Sequence, residues 1–374
     1  MSKEKSLSIV IPTRNNHYLI SQQLKCFLDW PSLNDLEIII HDNSDLRFED
    51  KTLLSKFENS CLKYIHYPQS MTMKENLEKG FLNCSGKYVT VIGDDDLVTP
   101  KILDDLAQLE REELDGCYYP NISSFLWPKV NSFWFRDNNN GTFIESKKRK
   151  KLYVNVKKNL KKIMHMGGTE YLEFLPSVYH GVIKRRLLQK IYDDIGTLFP
   201  GPSPDISNAV LNAVYGNKFF TSNNSSIISG ARLGSGSAEG YMKKHHGNFE
   251  ERKNVFGDKK INEQIPKFFC NKTIWSQSVD ETLRAINTKN LNINYDYLHA
   301  SCLIFHPKYF LEVITSIIKN RLNLFNVSFF CIVIFFRRLN VFYQNIFLRI
   351  FGFNRYYKVS RGYNDLYSLS KKVF

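Results

Sequence analysis

The stretch VTVIGDDDLVTP, Val89 to Pro100, ends a β-branched run in three consecutive carboxylates. Val89, Thr90, Val91 and Ile92 have the branched side chains that suit a pleated, buried surface, and Gly93 breaks the run. Asp94, Asp95 and Asp96 therefore stand side by side where a strand stops, and Pro100 sits at the expected first position of a helix, PKILDDLAQLEREE. Three earlier runs have the same character: LSIVIP (Leu7 to Pro12), LEIIIHD (Leu36 to Asp42) and LKYIHY (Leu62 to Tyr67). Helix-like stretches separate them, at Tyr18 to Trp30, about Phe48 to Asn59 and Thr72 to Asn83, the last closed by Ser85-Gly86. Such alternation predicts right-handed crossovers and an α/β fold with a mostly parallel central sheet flanked by helices.

In sheets of that kind ligands bind beyond the carboxyl ends of the strands. Three loops are gathered there: PTRNN (Pro12 to Asn16), HDNSD (His41 to Asp45) and GDDDLV (Gly93 to Val98). Adjacent carboxylates repel one another, and an unneutralised cluster in a crevice is strongly unfavourable. A divalent cation removes that penalty. Carboxylate oxygens suit Mg2+ or Mn2+, and Mg2+ takes one or two carboxylates while substrate phosphates and waters fill its other positions. The triplet thus predicts a metal held among Asp94, Asp95 and Asp96, and a diphosphate beside it. Standing alone, the same residues would suit a solvated acidic turn capping the next helix.

The chain has 374 residues, enough for one large domain with an appendage or for two domains, and its 43% hydrophobic and 24% charged content excludes wholesale disorder. A formal charge of +14 favours an anionic partner, whether nucleotide phosphate, acidic lipid or nucleic acid; compositional bias in a Lys-, Asn- and Ile-rich chain is the alternative. Cys26, Cys61, Cys84, Cys117, Cys270, Cys302 and Cys331 lack metal-like clustering and read as small buried hydrophobes in a reducing compartment. MSKEKSLSIVIP passes straight into a strand-like run without a cleavable apolar region, so the expected location is the cytoplasm, and triplets such as Asn121-Ile122-Ser123 read as chance.

From Gly116 to Met166 the alternation fades. Lys147 to Lys162, KKRKKLYVNVKKNLKK, is the most basic stretch and reads as a solvated loop or helix face, with contact to anionic lipid as the other reading. Gly168 to about Asn248 forms a second compact region, with a helix expected near Pro204. LFNVSFFCIVIFF, Leu324 to Phe336, is shorter than the ~20 residues a spanning helix needs. After Arg337-Arg338, Leu339, Phe342, Ile346, Phe347 and Ile350 recur at helical spacing among Asn340, Gln344, Asn345 and Arg349. That pattern suits a helix lying in a membrane interface, and also an ordinary core helix.

SIVIPTRNN, IIIHDNSD, MKENLEKGFLNCSGKYV and GDDDLVTP occur in an order and at a spacing by which the sequence resembles the family 2 glycosyltransferases, nucleotide-sugar-dependent enzymes of GT-A fold common in bacterial surface polysaccharide synthesis. The resemblance covers roughly the first 115 residues. It implies a Rossmann-like GT-A domain in two halves, residues 1–115 for the nucleotide sugar and 116–250 for the acceptor and catalysis, followed by a helical, membrane-associating region, 251–374. It implies that Pro12, Thr13 and Arg14 border the nucleotide and that Asp42 accepts a hydrogen bond from the base, with Asp45 nearby. Lys74 and Asn76 match positions lining the donor pocket, and each also fits the surface of its helix. Literal DxD spacing selects Asp94 and Asp96 as metal ligands, whereas alignment on Pro100 makes Asp95 the direct ligand and turns Asp94 towards ribose.

The base of inverting members is an Asp or Glu, expected in a Glu-Asp pair near a helix start. Here SPDISNA offers Asp205, with Pro204 in the place of the glutamate; Asp193 and Asp194 are lesser candidates. SGARLGSGSAEG, Ser229 to Gly240, offers backbone N–H groups and Arg232 to phosphate. His245, followed by His246, falls where some GT-A enzymes place a metal-binding histidine, or the pair is simply exposed. His180 either lines the acceptor pocket or sits satisfied in the core.

These readings together describe an inverting, Mn2+- or Mg2+-dependent glycosyltransferase that moves a sugar from a nucleotide-sugar donor, UDP-linked by expectation, to a glycan or lipid-linked glycan acceptor. It would be cytoplasmic, with peripheral membrane contact at the inner face of the cell membrane. A catalytically silent sugar-nucleotide binder is favoured by the missing Glu before Asp205. A sugar nucleotidyltransferase would carry a Gly-rich signature that PTRNN lacks. Only the charge speaks for a nucleic-acid-binding protein, since the basic run has no clear stacking platform, and nucleic acid is not an expected partner.

Overall fold

Ile and Val dominate the four apolar runs, and all four become neighbouring strands in the computed structural model of the chain, which describes residues 5–57, 61–120, 122–132, 138–146, 151–170, 174–249, 261–288, 290–350 and 357–374. β1 (Leu7–Thr13), β2 (Leu36–Asp42), β3 (Leu62–His66) and β4 (Tyr88–Val91) run parallel in the order β3-β2-β1-β4. Thr13 pairs with Asp42 and Asp42 with His66, so the loops that follow these strands open along one edge of the sheet.

The crossovers are α1 (His17–Leu28), α2 (Lys51–Leu54) and α3 (Met73–Leu82), and α4 (Ile102–Arg111) follows the acidic turn. α3 starts where a capping box fixes it, Thr72 accepting from the Glu75 N–H while Glu75 reaches back to Thr72. The helix expected at Phe48 to Asn59 shrinks to the single turn of α2. Phe48, Leu53 and Phe57 still reach the core, at 5, 5 and 7% exposure, Leu53 from α2 and the two phenylalanines from the irregular chain on either side of it, and residues 58–60 lie outside the described residues. Pro100 precedes α4 rather than opening it, because the short strand β5 (Leu97–Val98) comes between the acidic turn and the helix.

β6 (Gly116–Tyr118), β9 (Leu152–Val154), β10 (Gly181–Lys184) and β11 (Phe219–Thr221) extend the same sheet to the order β3-β2-β1-β4-β10-β6-β11-β9. β10 is antiparallel to both of its neighbours and β9 to β11, so the sheet is mixed in this half. α5 (Val156–His165), α6 (Arg185–Ile195) and α7 (Pro204–Tyr215) join α3 over one face, and α1 and α4 cover the other. The basic stretch is therefore more than a solvated face. Within it, β9 completes the sheet edge and α5 buries Val156, Leu160, Ile163 and Met164, while residues 147–150 lie outside the described residues.

A second sheet has no counterpart in the sequence reading. β7 (Ser123–Leu126), β8 (Thr142–Ser146), β12 (Ile227–Ala231) and β15 (Tyr357–Arg361) join β5 in the order β15-β8-β7-β12-β5. α8 (Gly236–Tyr241) follows β12, and β13 (His246–Gly247) pairs with β14 (Phe269–Cys270). Then come α9 (Asn271–Ala285), α10 (Tyr295–Phe305), a 3₁₀ turn Pro307–Tyr309, α11 (Phe310–Lys319), α12 (Leu324–Ile350) and α13 (Leu366–Val373). The apolar run and the amphipathic segment that follows it form one helix, α12, because Arg337 and Arg338 are good helix formers and interrupt nothing. The region beyond residue 251 is mainly helical, yet β15 returns to pair with β8. All seven cysteines are free thiols, five of them buried and Cys84 and Cys331 partly so.

Candidate active site

The acidic turn closes off β4, and its three carboxylates point to different partners. Asp94 Oδ2 accepts from Thr13 Oγ1 at 2.7 Å and from Asn16 Nδ2 at 2.8 Å, which ties the turn to the loop after β1. Asp96 faces inward. Its Oδ1 accepts from the Gly230 N–H at 2.7 Å, and its Oδ2 from the Gly93 N–H at 2.6 Å and from His180 Nε2 at 2.6 Å. Protein donors thus occupy the carboxylate of Asp96, which acts as the keystone of the turn. Asp95 differs: it is 8% exposed, its main-chain carbonyl accepts from Trp127 Nε1 at 3.1 Å, and its buried Oδ2 has no hydrogen-bond partner.

Two elements clamp this turn from either side. Gln23 of α1 extends Nε2 to the carbonyls of Gly93, Asp94 and Asp96, at 3.3, 3.4 and 2.5 Å. On the other side β12 approaches so closely that a Cβ at Gly230 would fall 1.8 Å from the Asp95 carbonyl oxygen. Gly230 is therefore a position where only hydrogen fits.

Crowding has an electrostatic consequence. Burial pushes the Asp94 carboxyl above the usual range, against the hydrogen bonds from Thr13 and Asn16 and the field of Arg232. Asp95 is pushed well above it, first by burial and then by the charges of Asp96 and Asp94, with Arg232 opposing. Burial, followed by the fields of Asp96, Asp95, Asp205 and Asp94, likewise raises the Tyr179 hydroxyl well above its ordinary value. The Tyr179 hydroxyl lies 3.5 Å from Asp96 Oδ2, and the field of Asp205 reaches it as well.

Asp205 stands in the first turn of α7, with its Oδ1 accepting from Ser203 Oγ at 2.5 Å and from the Ile206 N–H at 2.9 Å. The same helix holds the loop that carries Tyr179 and His180, since Asn208 Oδ1 accepts from the Val178 N–H at 2.8 Å. His180 adopts a left-handed backbone, φ +61°, and its ring lies 4.2 Å from that of Tyr179. Arg232 follows β12 directly, and its Nε is buried without a hydrogen-bond partner.

The loops after β1 and β2 meet at the other end of the crevice. Asp42 is fully buried: Ser44 donates to Oδ1 from its N–H at 2.9 Å and from its hydroxyl, and Tyr64 donates to Oδ2 at 2.6 Å. His17 Nε2 lies 3.5 Å from the same oxygen, in ion-pair range but without hydrogen-bond geometry. Asn15 and Asp45 exchange two 3.0 Å hydrogen bonds, and the exposed Arg14 lies 4.0 Å from Asp45 and 3.3 Å from Ser70 Oγ. Asn76 is buried and bridges the His41 ring to the Thr13 carbonyl, while Lys74 is half-buried on the first turn of α3 and Pro12 half-buried in β1.

His245 lies 3.1 Å from Glu239 Oε2 and packs beside the ring of Phe269. Among the described residues no three His, Cys, Asp or Glu side chains are grouped to hold a metal by themselves. Asn16, Gln23, Trp127, Tyr179 and Gly230 were not singled out from the sequence. Only Gln23 gave a signal, as an amide within the apolar stripe of α1.

Residues 8–170 match the model of glycosyl transferase family 2. The match covers a little under half of the chain. The matched segment carries Thr13, Asp42, Asn76 and the acidic triplet, while Tyr179, His180, Asp205 and Arg232 come from beyond it. Similar solved structures include S. aureus TarS 1-349 in complex with UDP-GlcNAc, at 16% identity over 85% of this chain and 76% of that one, with a TM-score of 0.43. Another is S. aureus TarS at 14% identity, over 83% and 54% of the two chains, TM-score 0.45. A third is the mannosyltransferase PcManGT from Pyrobaculum calidifontis in complex with GDP-Man and Mn2+, at 13% identity over 88% and 79%, TM-score 0.40. Likeness at that level decides neither donor, acceptor nor metal for this chain. No curated protein matches the sequence.

Proposed function

We propose that this chain is an inverting, dication-dependent glycosyltransferase of family 2 that moves a sugar from a nucleotide-diphosphate donor, UDP-linked, to a hydroxyl of a glycan precursor carried on a membrane lipid. The observation that carries the reading is the buried Oδ2 of Asp95, a carboxylate oxygen that no protein donor satisfies, in a turn shared with Asp94 and Asp96 and within the field of Arg232. Such an oxygen, pressed by two like charges, lacks positive charge, and a hard dication suits it. Asp95 and Asp94 would hold Mg2+ or Mn2+, whose chemistry when bound is to neutralise the departing diphosphate.

The chain's own residues do the rest in this reading. Arg232, already within the field of both carboxylates, meets phosphate. Pro12, Thr13 and Arg14 border the nucleotide, Asp42 and Asp45 face the base, and Lys74 and Asn76 complete the donor side. Asp205, its Oδ1 fixed by Ser203 and Ile206, takes the proton of the acceptor hydroxyl. Residues 1–115 then form the donor half, 116–250 the acceptor half and 251–374 the region that meets the membrane, at its cytoplasmic face.

A panel of nucleotide sugars tests this by thermal shift and product analysis, with and without Mn2+. A donor should raise Tm only when the dication is present. Asp205→Asn should keep that shift while transfer falls by roughly 10² or more. Full turnover in chelator overturns the metal, and donor binding without any product supports the silent-binder reading, which the Pro204 departure favours.

A further inference from the structure

α12 is 27 residues long. At 1.5 Å per residue that is about 40 Å, enough to cross a bilayer. One stripe of it packs on α10: Val327 and Ile334 are buried with Leu298 and Cys302, and Phe330 and Cys331 flank them. The opposite stripe is bare. Phe325, Phe329, Ile332, Phe336 and Tyr343 are 79, 53, 56, 63 and 65% exposed, and Leu311 and Ile318 of α11 are 76 and 69% exposed. Of the most apolar stretch, Leu324–Gln344, only 11% is buried within the protein. Soluble monomers rarely leave apolar surface on that scale uncovered.

Length alone would make α12 a membrane span, and the connectivity forbids it. Before α12 the chain is folded into the protein through α10, and after it β15 pairs with β8 along five residues. Leu366 and Leu369 of α13 are then fully buried beside Phe125 and Trp127. Both flanks therefore belong to one body on one side of any membrane. From Ile350 to Tyr357 the chain advances seven residues, which at full extension reach about 25 Å, less than the ~30 Å of hydrocarbon a return crossing would need.

Charge decides what covers the bare stripe. Between Pro307 and Tyr343 the exposed residues Lys308, Lys319, Arg321, Arg337 and Arg338 stand against the single acid Glu312. A second copy of the chain would bring this cationic border against itself, whereas anionic headgroups complement it and an apolar stripe between basic residues fits the headgroup boundary. We propose that the outer faces of α12 and α11 form a monotopic docking surface for an anionic bilayer leaflet, with α12 lying in the plane of the interface. This surface stands on observations independent of the proposed sugar transfer.

The test floats the full chain with phosphatidylcholine vesicles, with and without phosphatidylglycerol, and follows an affinity tag placed after Phe374. The chain should float with the anionic vesicles and less with neutral ones. Phe329→Glu combined with Phe336→Glu should reduce recovery at least tenfold, with circular dichroism and Tm unchanged. Protease added outside should remove the tag as readily from bound as from free protein. Absence of flotation overturns the proposal, as does a tag protected on intact vesicles, which would mean a span. A concentration-dependent dimer abolished by the double substitution, without flotation, assigns the face to a second copy instead. Flotation reads lipid and not sugar transfer, so an inactive protein that floats leaves the surface standing, and an active one that does not float leaves the transfer standing.

Discussion

Asp95 and Glu37 are both buried carboxylates, held in opposite electrostatic positions. Burial works against ionisation of Glu37, but donors from Lys63, Ser8 Oγ at 2.6 Å and Ser85 N–H and Oγ at 2.8 Å prevail and hold its carboxyl below the usual range. Its contribution to stability is complete above the unfolded-state value near 4.3 and is lost as pH falls towards the depressed native value. Glu37→Gln should lower stability at pH 7 by roughly 1–3 kcal/mol and flatten the acid-side decline below about pH 4. Denaturant titrations at the two pH values check both effects. For Asp95 the sign reverses. Its raised carboxyl leaves the native state with a proton the unfolded chain has lost, so metal-free stability falls as pH rises above the unfolded value. Asp95→Asn should raise the Tm of chelator-treated protein at pH 7 by one to two degrees, about 1 kcal/mol, abolish the stabilisation given by Mn2+, and reduce dication-dependent donor hydrolysis by roughly 10² or more. A variant that melts lower in chelator and still gains from Mn2+ would remove Asp95 from the metal.

The acidic turn is fixed by neighbouring elements more than by its own residues. Gly230→Ala puts a methyl where the Asp95 carbonyl already stands, so β12 must part from the turn, and the Gly230 N–H loses its hold on Asp96. We expect a loss of about 3 kcal/mol or more, with donor hydrolysis falling further than stability alone accounts for; melting curves and initial rates on the same preparation separate the two. Elements of this kind divide by how local their cause is. The parallel run β1 to β4 was legible because four β-branched stretches end in polar loops, and α3 because a helix-like stretch from Thr72 is closed by Ser85-Gly86. The helix at Phe48 to Asn59 shrank to one turn because Phe48 and Phe57 serve the core from irregular chain on either side of Leu53. The second sheet was illegible because its strands, two to five residues each, are drawn from positions 97 to 361 and owe their pairing to partners far along the chain. The site divides in the same way. Thr13 and Asp42 end their strands and the triplet follows β4, at polar strand ends that announce themselves, whereas Gln23, Trp127 and Tyr179 matter only through what they touch.

At the scale of the whole molecule, the last residues of the chain support the first chemistry-bearing turn. β15 closes the outer edge of the second sheet, and α13 buries Leu366 and Leu369 in a cluster with Leu19 and Cys26 of α1 and with Phe125, Leu126 and Trp127. Lys371 pairs with Asp29 at 2.8 Å, just past the end of α1. Both α1 and Trp127 also grip the acidic turn, α1 through Gln23 and Trp127 through the Asp95 carbonyl. Loosening α13 therefore loosens both clamps at once. Leu369→Ala should cost about 2–5 kcal/mol as a buried large-to-small change, and a chain ending after Ile350 should lose more, with the edge of β8 uncovered. The functional expectation is sharper than the loss of stability. At a temperature where Leu369→Ala remains folded, the Tm gain from donor plus Mn2+ should shrink and donor hydrolysis should fall several-fold, while flotation on anionic vesicles persists because α12 is untouched. Donor affinity equal to that of the unsubstituted protein at that temperature would show that α13 stabilises the fold without bearing on the turn, and that the coupling through Trp127 and α1 is absent.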